Sequence, residues 1–388
     1  MNIKYPLAKE TINDEDINAL CDWLKSYPRL TKGSLTVQVE KDWAEYIGTD
    51  YAVFNNSGSS ANLLMVAAAV QCGLIPNKKI VVPSVGWVTT VSPAIQLGLE
   101  PIMCGADTQT YGMDLDELEQ ICERENPDAV IFVQVLGVPH HKERLLELKE
   151  KYGFLLLEDA CAALGASYKD GSMVGTVGDM SSFSFYFGHQ LSTIEGGMVN
   201  VNNKELYDML LMLRSHGWAK DLDKETYDDM MDKYGIEDFH SPFTFFIPGY
   251  NLRSTDLQAF LGIRQIKKAD WAASQRNKNH LLYAEKLKGY VEFQDWGENN
   301  PVSISFGAIA NSTEHRKEIV NRLVEHGVET RIYSAGNLGR HPFWTDLYDE
   351  FREEQSDKIH SRGFFIPNYP ELTEEEIDFI CRVVKGEL

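Results

Sequence analysis

The sequence predicts an α/β fold with a mainly parallel sheet, because short apolar runs alternate with helical patterns between about residues 45 and 200. Helical patterns follow Ser59, Trp87 and Leu115. The apolar runs are rich in Val, Ile, Leu and Phe and do not alternate with polar residues, which is typical of strands covered on both faces. The predicted strands are Tyr51–Phe54, Lys79–Pro83, Pro101–Cys104, Ala129–Val135, Phe154–Glu158, Ser181–Phe187 and Gly197–Asn200.

The pattern changes after this region and predicts a second, smaller domain. Residues 221–239 are strongly acidic, which indicates a solvated surface segment. A long helical pattern runs from Ser254 to Leu287 and leads into a different topology. We therefore expect a large domain over residues 1–250 and a smaller C-terminal α+β domain over residues 251–388. The smaller domain has an apolar run at Val302–Ala310 and helices near Thr313–His326 and from Thr373.

Composition excludes several classes of protein. The 388 residues include 37 Lys and Arg against 58 Asp and Glu, a net charge of −21 that repels nucleic acid. No run approaches the roughly 18 uncharged apolar residues of a membrane span, and the first residues do not resemble an export signal. We expect a cytoplasmic protein that binds neither nucleic acid nor a membrane.

The cysteines are scattered along the chain, without the spacing of a metal site or an iron–sulfur cluster. Free cysteine is among the residue types most often buried, as a small apolar side chain. We interpret all six in this way and expect a reducing compartment and no metal site. They are Cys21, Cys72, Cys104, Cys122, Cys161 and Cys381.

The segment Asn56–Asn62 combines hydroxyl side chains with a glycine at the predicted start of a helix. Backbone N–H groups at a helix N-terminus favour anions, phosphate above all. The same pattern also describes an ordinary helix cap in which Gly58 supplies the turn. This motif therefore indicates a phosphate site only in combination with others.

Two residues after predicted strand ends are suited to binding an aromatic cation. Asp159 closes a buried strand at the edge where open α/β sheets bind ligands. A carboxylate there would keep a pyridinium nitrogen protonated, although a solvated or helix-capping aspartate is the alternative. Trp87 is suited to stacking on a ring, although such a tryptophan is more often part of the core. Hydroxyls, glycines and one imidazole cluster between Ser182 and Gly197.

In order and spacing, these motifs resemble one family. The chain is similar over most of its length to the pyridoxal-phosphate sugar aminotransferases of the DegT/DnrJ/EryC1/StrS group. The resemblance implies the aspartate aminotransferase-like fold (PLP fold type I), with a large cofactor-binding domain built on a mainly parallel seven-stranded sheet and active sites shared in a homodimer. The matching motifs are Gly58-Ser59-Ser60, Trp87, Glu158-Asp159-Ala160, Phe183-Ser184-Phe185, Glu195-Gly196-Gly197 and Pro248–Arg253.

One position departs from the family and changes the implied activity. The Schiff-base lysine of the family lies six residues before the glutamate of Glu-Gly-Gly, where this chain has His189. Imidazole cannot form that bond, but its ordinary pKa of about 6.5 suits proton transfer. Histidine here resembles the family's sugar 3-dehydratases, which implies loss of the C3 hydroxyl of a nucleotide-linked 4-keto-6-deoxy sugar. GDP-4-keto-6-deoxymannose, of the colitose pathway, is the favoured substrate, and the dispersed cysteines favour the cluster-free dehydratases.

The resemblance also implies which residues bind the cofactor. His189 is the implied acid and base, and L-glutamate is implied to convert pyridoxal phosphate back to pyridoxamine phosphate. The implied cofactor-binding residues are Gly58, Ser59 and Ser184 at the phosphate, joined there by Asn251 of the neighbouring subunit, with Trp87 against the ring and Asp159 at its nitrogen.

Substrate contacts are implied for three further residues. His216 would orient the sugar or serve as a structural histidine, while Arg253 and Arg331 would bind the glutamate carboxylate or the sugar diphosphate unless they form surface ion pairs. Two positions depart from the resemblance: Ala162 replaces a polar residue, and Gln190 replaces a second histidine of the similar dehydratases. Both departures affect cofactor polarisation or substrate choice.

Two alternative functions stay open at this point. One is an aminotransferase that uses a different lysine, although residues 172–203 contain none. The other is a catalytically silent relative that binds a nucleotide sugar or a partner. Chance loss of the lysine would also be expected to erode neighbouring motifs, and these are intact, so we favour the dehydratase.

Overall fold

The computed structural model describes residues 3–388 of the chain. Its larger sheet consists of β1 (Tyr51–Asn55), β2 (Lys79–Pro83), β3 (Glu100–Cys104), β4 (Ala129–Val133), β5 (Leu155–Asp159), β6 (Met180–Ser184) and β7 (Gly197–Val201). The order across the sheet is β1-β7-β6-β5-β4-β2-β3. Only β7 runs antiparallel to its neighbours, β1 and β6, and the other pairs are parallel. The predicted mainly parallel, seven-stranded sheet is confirmed.

Helices cover both faces of this sheet and extend through the C-terminal part. The predicted helices after Ser59, Trp87 and Leu115 are present, whereas the two helices before the first strand were not predicted. The helices are α1 (Asp14–Leu24), α2 (Ser34–Ile47), α3 (Gly58–Gln71), α4 (Val88–Gln96), α5 (Leu115–Glu125), α6 (Lys142–Tyr152), α7 (Lys204–Arg214), α8 (Lys224–Tyr234), α9 (Asp256–Ile266), α10 (Ala269–Leu287), α11 (Thr313–Glu325), α12 (Pro342–Thr345), α13 (Glu354–Arg362) and α14 (Glu374–Lys385).

The core around the larger sheet has one layer on each face. On one face, Phe132 of β4 packs in a cluster with Trp43 of α2 and with residues of α5, α6 and α9. On the other face, Ile131 of the same strand packs with Leu64 of α3 and Leu210 of α7. Consecutive residues of a strand point to opposite faces. Both faces are therefore apolar, which explains why these strands read as unbroken apolar runs.

A second, three-stranded sheet lies in the C-terminal part of the chain. It consists of β8 (Ser305–Ile309), β9 (Arg331–Ile332) and β10 (Gly363–Pro367) in the antiparallel order β8-β10-β9. Helices α10, α11 and α14 pack on it around Tyr283, Phe306 and Ile380. The predicted apolar run contains β8, but β9 and β10 were not predicted. This part is α+β, and the domain boundary at residue 250 stays a prediction.

Two details of the predicted secondary structure were wrong, the continuity of one long helix and the end of one strand, whereas the solvated acidic segment is confirmed. The long helical pattern is two helices, because α9 packs against α2 whereas α10 turns toward α14 and the second sheet. The acidic segment contains α8, in which only Met231 is buried, so its charges are solvated. The strand predicted to reach Phe187 ends at Ser184, since Tyr186 and Phe187 are exposed. Within residues 3–388, no helix is long and apolar enough to cross a membrane.

Candidate active site

The carboxyl ends of the parallel strands meet at one edge of the larger sheet. Asp159 ends β5, and Ser184 ends its parallel neighbour β6. Gly58 begins α3 shortly after β1, and Trp87 immediately precedes α4 after β2. Ligands of open α/β sheets bind at this edge. The structure thus brings these four residues to the edge where chemistry is expected.

The carboxylate of Asp159 is buried and held in one orientation. Its Oδ2 accepts hydrogen bonds from Asn62 Nδ2 at 2.8 Å and Thr90 Oγ1 at 2.7 Å, and its Oδ1 accepts one from the Cys161 amide at 3.1 Å. Ser182 donates to Asn62 Oδ1 at 2.6 Å and thereby orients that amide. Each carboxylate oxygen has two lone pairs, so Oδ1 keeps room for one more donor.

The N-terminus of α3 packs tightly against the end of β6. A Cβ atom on Gly58 would lie 2.6 Å from the Cβ of Ser184 and 2.9 Å from the Sγ of Cys161, so only glycine permits this approach. Ser59 is exposed and donates to Thr89 Oγ1 at 3.2 Å, which links the first turns of α3 and α4. Helix N-termini carry N–H groups without intrahelical partners. Two of them lie side by side here, with hydroxyl groups, in an arrangement that suits phosphate.

Trp87 is a surface residue beside this edge and not part of the core. Its side chain is 58% exposed. The segment before it is anchored by Ser334, which donates to the Gly86 carbonyl at 2.7 Å, and by an antiparallel bridge between Val85 and Asn337. The indole is therefore held on a fixed segment and has a face free to stack on a planar ligand.

His189 lies in the loop between β6 and β7, close to the same edge. Its Nδ1 is buried and has no hydrogen-bond partner within residues 3–388. Burial lowers the pKa of the imidazole to about 4, and the Arg276 guanidinium adds to this effect while the Asp159 carboxylate opposes it. At neutral pH the ring is therefore uncharged and able to accept a proton.

Two buried side chains hold the His189 loop in place. Gln190 donates to the carbonyl groups of Ala162 at 2.5 Å and Val302 at 2.9 Å. Arg276 of α10 is fully buried and donates to the His189 carbonyl at 3.3 Å. Burial lowers the pKa of Arg276 to about 10, so it is still cationic at neutral pH. Gln190 is thus an anchor of the loop, and Arg276 is an anchor that also carries charge.

Three other predicted residues form a separate group. Arg253 follows Leu252 on a segment that bonds to the chain at the end of β1. Its Nε donates to Asn251 Oδ1 at 3.0 Å, and its Nη2 lies 3.3 Å from His216 Nε2. In the described part of the chain, the side chains of this group form no hydrogen bond or ion pair with Gly58, Trp87, Asp159 or Ser184.

Arg331 lies apart from both groups. It belongs to the short strand β9, and its side chain is 66% exposed and pairs with Glu329 at 2.9 Å. Between residues 3 and 388 it contacts none of the other predicted site residues through a hydrogen bond or ion pair. Its proposed role in substrate binding stays a prediction.

The comparison with known families agrees with this arrangement. The sequence profile of the DegT/DnrJ/EryC1/StrS aminotransferase family matches residues 10–385. The chain belongs to this family. Its sheet order and its helical layers are those of PLP fold type I, so the fold predicted from the motifs is confirmed.

Several similar members of the DegT/DnrJ/EryC1/StrS family are dehydratases. A GDP-4-keto-6-deoxy-D-mannose 3-dehydratase of Yersinia pseudotuberculosis is 32% identical over 392 residues, covering 99% of this chain and 98% of that protein. The structure of the E. coli GDP-4-keto-6-deoxy-D-mannose-3-dehydratase with bound hydrated PLP superposes with a TM-score of 0.90 at 30% identity, covering 99% and 100% of the two chains. The structure of a GDP-4-keto-6-deoxymannose-3-dehydratase with a trapped PLP-glutamate geminal diamine superposes with a TM-score of 0.88 at 30% identity, covering 98% of this chain and 100% of that chain.

Several residues of the site were missed by the motif analysis. Asn62 and Thr90 hold Asp159, and a signal existed for both: Asn62 lies about one helical turn after Gly58, and Thr90 lies three residues after Trp87. No sequence motif pointed to Arg276, because His189, to whose carbonyl it donates, is remote from it in sequence. Over residues 3–388, no three His, Cys, Asp or Glu side chains converge as a metal site requires.

Proposed function

We propose that this family member is a nucleotide-sugar 3-dehydratase that uses pyridoxal and pyridoxamine phosphate. It removes the C3 hydroxyl of a 4-keto-6-deoxy sugar, GDP-4-keto-6-deoxymannose being the favoured substrate. L-glutamate supplies the reducing equivalents, so the products are a 3-deoxy-4-keto sugar, 2-oxoglutarate and ammonia. The proposal depends on His189, a neutral imidazole in the position of the family's lysine. The names of the similar dehydratases support the substrate.

The residues at the sheet edge fit a pyridoxal-type cofactor. Asp159 offers a buried carboxylate with a free lone pair to a ring nitrogen, and Trp87 offers an exposed face to the ring. Gly58 and Ser184 form a close-packed surface at a helix N-terminus that suits the phosphate, with Ser59 beside it. When bound, the cofactor supplies an electron sink and an amine that condenses with the substrate ketone.

His189 provides the proton transfer in this proposal. Its neutral ring accepts a proton at a free nitrogen and later returns it, a contribution worth about 10²–10⁴-fold in rate for a positioned acid or base. No lysine competes for this role at the loop. The lysines that flank it in sequence, Lys169 and Lys204, form surface ion pairs with Glu143 and Asp208.

A second copy of the chain completes the site in this proposal. Within residues 3–388, the side chains of Asn251, His216 and Arg253 form no hydrogen bond with Gly58, Trp87, Asp159 or Ser184. His216 packs edge-on against Trp218, which stacks on the exposed ring of Phe245. Exposed apolar surface of this kind favours a protein contact. In a homodimer, Asn251 would reach the cofactor phosphate of the other subunit, and the other two would reach the substrate.

We also propose a cytoplasmic enzyme of deoxysugar synthesis, of the colitose type. All six cysteines are unpaired, which supports a reducing compartment. The sugar named for the similar proteins supports the biosynthetic role.

The decisive experiment follows the sugar and the amino acid together. The protein is incubated with pyridoxal phosphate, L-glutamate and GDP-4-keto-6-deoxymannose, and the products are analysed by mass spectrometry. We expect loss of the C3 oxygen with equimolar release of 2-oxoglutarate and ammonia. An aminated sugar would instead establish an aminotransferase, and failure to bind either cofactor form would establish a silent relative.

A further inference from the structure

A turn in the C-terminal part of the chain contacts the segment Ser84–Trp87, which we call the Trp87 segment. The turn follows β9, runs from Tyr333 to Gly336 and is closed by the Gly336 amide, which donates to the Tyr333 carbonyl at 2.8 Å. Within it, the Ser334 hydroxyl donates to the Gly86 carbonyl at 2.7 Å, across 248 positions of the sequence. The turn therefore connects the C-terminal part of the chain to the edge of the larger sheet.

Ser334 has a backbone conformation that serine rarely adopts. Its φ is +48°, in the left-handed region, where a Cβ atom crowds the backbone and where glycine or asparagine is usual. A strained residue of this kind persists only where the surrounding structure holds it, and such residues cluster at functional sites. Glycine would make the same turn without strain. What serine adds is a hydroxyl group, which binds the carbonyl beside Trp87.

Bonds on two sides hold this turn in place without the hydroxyl of Ser334. On the side of the C-terminal part, the buried side-chain amide of Asn337 donates to Asp357 Oδ1 at 2.9 Å. On the side of the larger sheet, the Leu338 amide donates to the Ser84 carbonyl at 2.7 Å, just after β2. Loss of the hydroxyl alone would therefore leave the turn beside the Trp87 segment, without its bond to the Gly86 carbonyl.

Gly86 gives the Trp87 segment more conformational freedom than another residue would. Without a Cβ atom, its φ and ψ are the least restricted of any residue type. Trp87 follows directly and is 58% exposed, so the protein packs against less than half of its surface. The bond from Ser334 restrains the peptide group that joins Gly86 to Trp87. The orientation of the indole therefore depends on Ser334.

We propose that Ser334 is a positioning residue for Trp87, which holds the indole where it stacks on the ring of a bound pyridoxal-type cofactor. The inference rests on the proposed function, which places that ring against Trp87. Stacking is sensitive to the relative orientation of the two rings, so a bond that fixes the indole before the cofactor arrives raises affinity without touching the cofactor. The strained serine thus lowers the stability of the fold and strengthens cofactor binding.

The test compares two variants that both lack the hydroxyl. Ser334→Gly relieves the strain and Ser334→Ala does not, so the glycine variant should unfold at a higher denaturant concentration than the alanine variant. Binding of pyridoxal phosphate to the full-length protein, freed of cofactor and measured by isothermal titration calorimetry, should weaken about twofold to tenfold in both, as for one lost hydrogen bond. Thr330→Val is the matched control and should bind as the wild type does. The Thr330 hydroxyl also donates to a backbone carbonyl, that of Phe365 at 2.8 Å, but in the second sheet.

A double-mutant cycle shows whether Ser334 acts through Trp87. In a Trp87→Ala background, Ser334→Gly should leave the affinity for pyridoxal phosphate unchanged, because the indole that Ser334 positions is absent. An equal loss of affinity in both backgrounds would overturn the inference. Wild-type affinity in both Ser334 variants would also overturn it, as would wild-type protein that does not bind pyridoxal phosphate. If the cycle gives the expected result but GDP-4-keto-6-deoxymannose is never dehydrated, the role of Ser334 stands and the proposed function fails.

Discussion

The charge state of His189 is set by burial and by the charged and polar groups around it. Burial lowers the pKa of the imidazole to about 4, the buried guanidinium of Arg276 adds to this, and the carboxylate of Asp159 opposes it. Tyr186, whose ring lies 6.3 Å from the imidazole, is the other titratable side chain packed beside it. An ordinary histidine would be largely protonated below about pH 6. His189 stays a proton acceptor well below that pH.

Removing the charge of Arg276 should move the pH profile of the enzyme. Without this cation the protonated imidazole is less disfavoured, so the pKa of His189 rises and the acid limb of kcat/KM moves to higher pH. We expect this shift in Arg276→Met, whereas Arg276→Lys keeps the charge and the wild-type limb. Profiles between about pH 4.5 and 8 measure it.

The matched control is Arg322→Met. Arg322 also donates to backbone carbonyls, those of Val383 and Val384, but in the C-terminal part of the chain. An equal shift in this control would mean that loss of packing, and not of charge near His189, moves the profile.

Two substitutions at His189 should separate its chemical role from its place in the fold. His189→Ala should lower turnover by about 10²–10⁴-fold, the usual contribution of a positioned acid or base, with the cofactor still bound. His189→Lys should abolish dehydration and create a covalent bond to pyridoxal phosphate that borohydride reduces. Absorbance and mass spectrometry detect both outcomes. Near-native turnover of His189→Ala would show that another group moves the proton.

At the scale of the elements, a buried ion pair ties the end of α7 to α2 and β1. Arg214 is fully buried, pairs with Glu40 and donates to the Phe54 carbonyl at 2.8 Å, and Glu40 accepts from the Phe54 amide at 2.9 Å. These contacts fix the strand that leads into Gly58. The same guanidinium also pairs with Asp221 at 3.2 Å.

Breaking this pair should destabilise the fold strongly. In Arg214→Met, the carboxylate of Glu40 is left buried without its cation, which costs about 3–5 kcal/mol in the free energy of unfolding. Denaturant titration measures the loss. The double variant Glu40→Gln with Arg214→Met leaves no unpaired charge at this pair and should lose less. An equal loss in the two proteins would mean that packing, and not charge, dominates.

The elements differ in how far the sequence predicts them. The strands of the larger sheet are covered on both faces, so most of them are distinct apolar runs between turns. Strand β6 is the exception, with three serines among its five residues. Strand β9 has two residues, both exposed, and β10 follows α13 without a turn, so neither has such a pattern. The break between α9 and α10 is invisible for another reason, since each half has a regular helical pattern. Helix α10 begins on the same core as α9, at Ala269 and Ala272, and only its later residues, such as Tyr283, reach the core of the second sheet.

At the scale of the whole molecule, the proposed homodimer makes a distinctive prediction. Inactive His189→Ala and Asn251→Ala proteins are unfolded and refolded together. If Asn251 acts across the interface, half of the dimers formed at random are mixed, each with one intact site, and about a quarter of wild-type activity returns. Light scattering verifies the dimer. No recovery in mixed dimers would place Asn251 in the site of its own chain.

The net charge of the chain does not show how its charges are distributed in the folded structure. A charge of −21 predicts that the chain does not bind nucleic acid, but it does not show that Arg29, Lys32, Lys220 and Arg253 line one cavity. These residues come from three separate segments of the chain. Only the folded chain brings these side chains close enough for their positive potentials to add.

The sequence by itself determined the α/β class, the strands of the larger sheet, the family resemblance and the replacement of a lysine by His189. These depend on local patterns of apolar residues or on short motifs. The tertiary structure decided that Asn62 and Thr90 orient Asp159, that Arg276 lies against the His189 loop and that Arg29, Lys32, Lys220 and Arg253 line one cavity. Each of these features joins residues that are far apart in sequence. The pKa values and electrostatic potentials depend on distances and burial in the folded chain, and no local sequence pattern encodes these quantities.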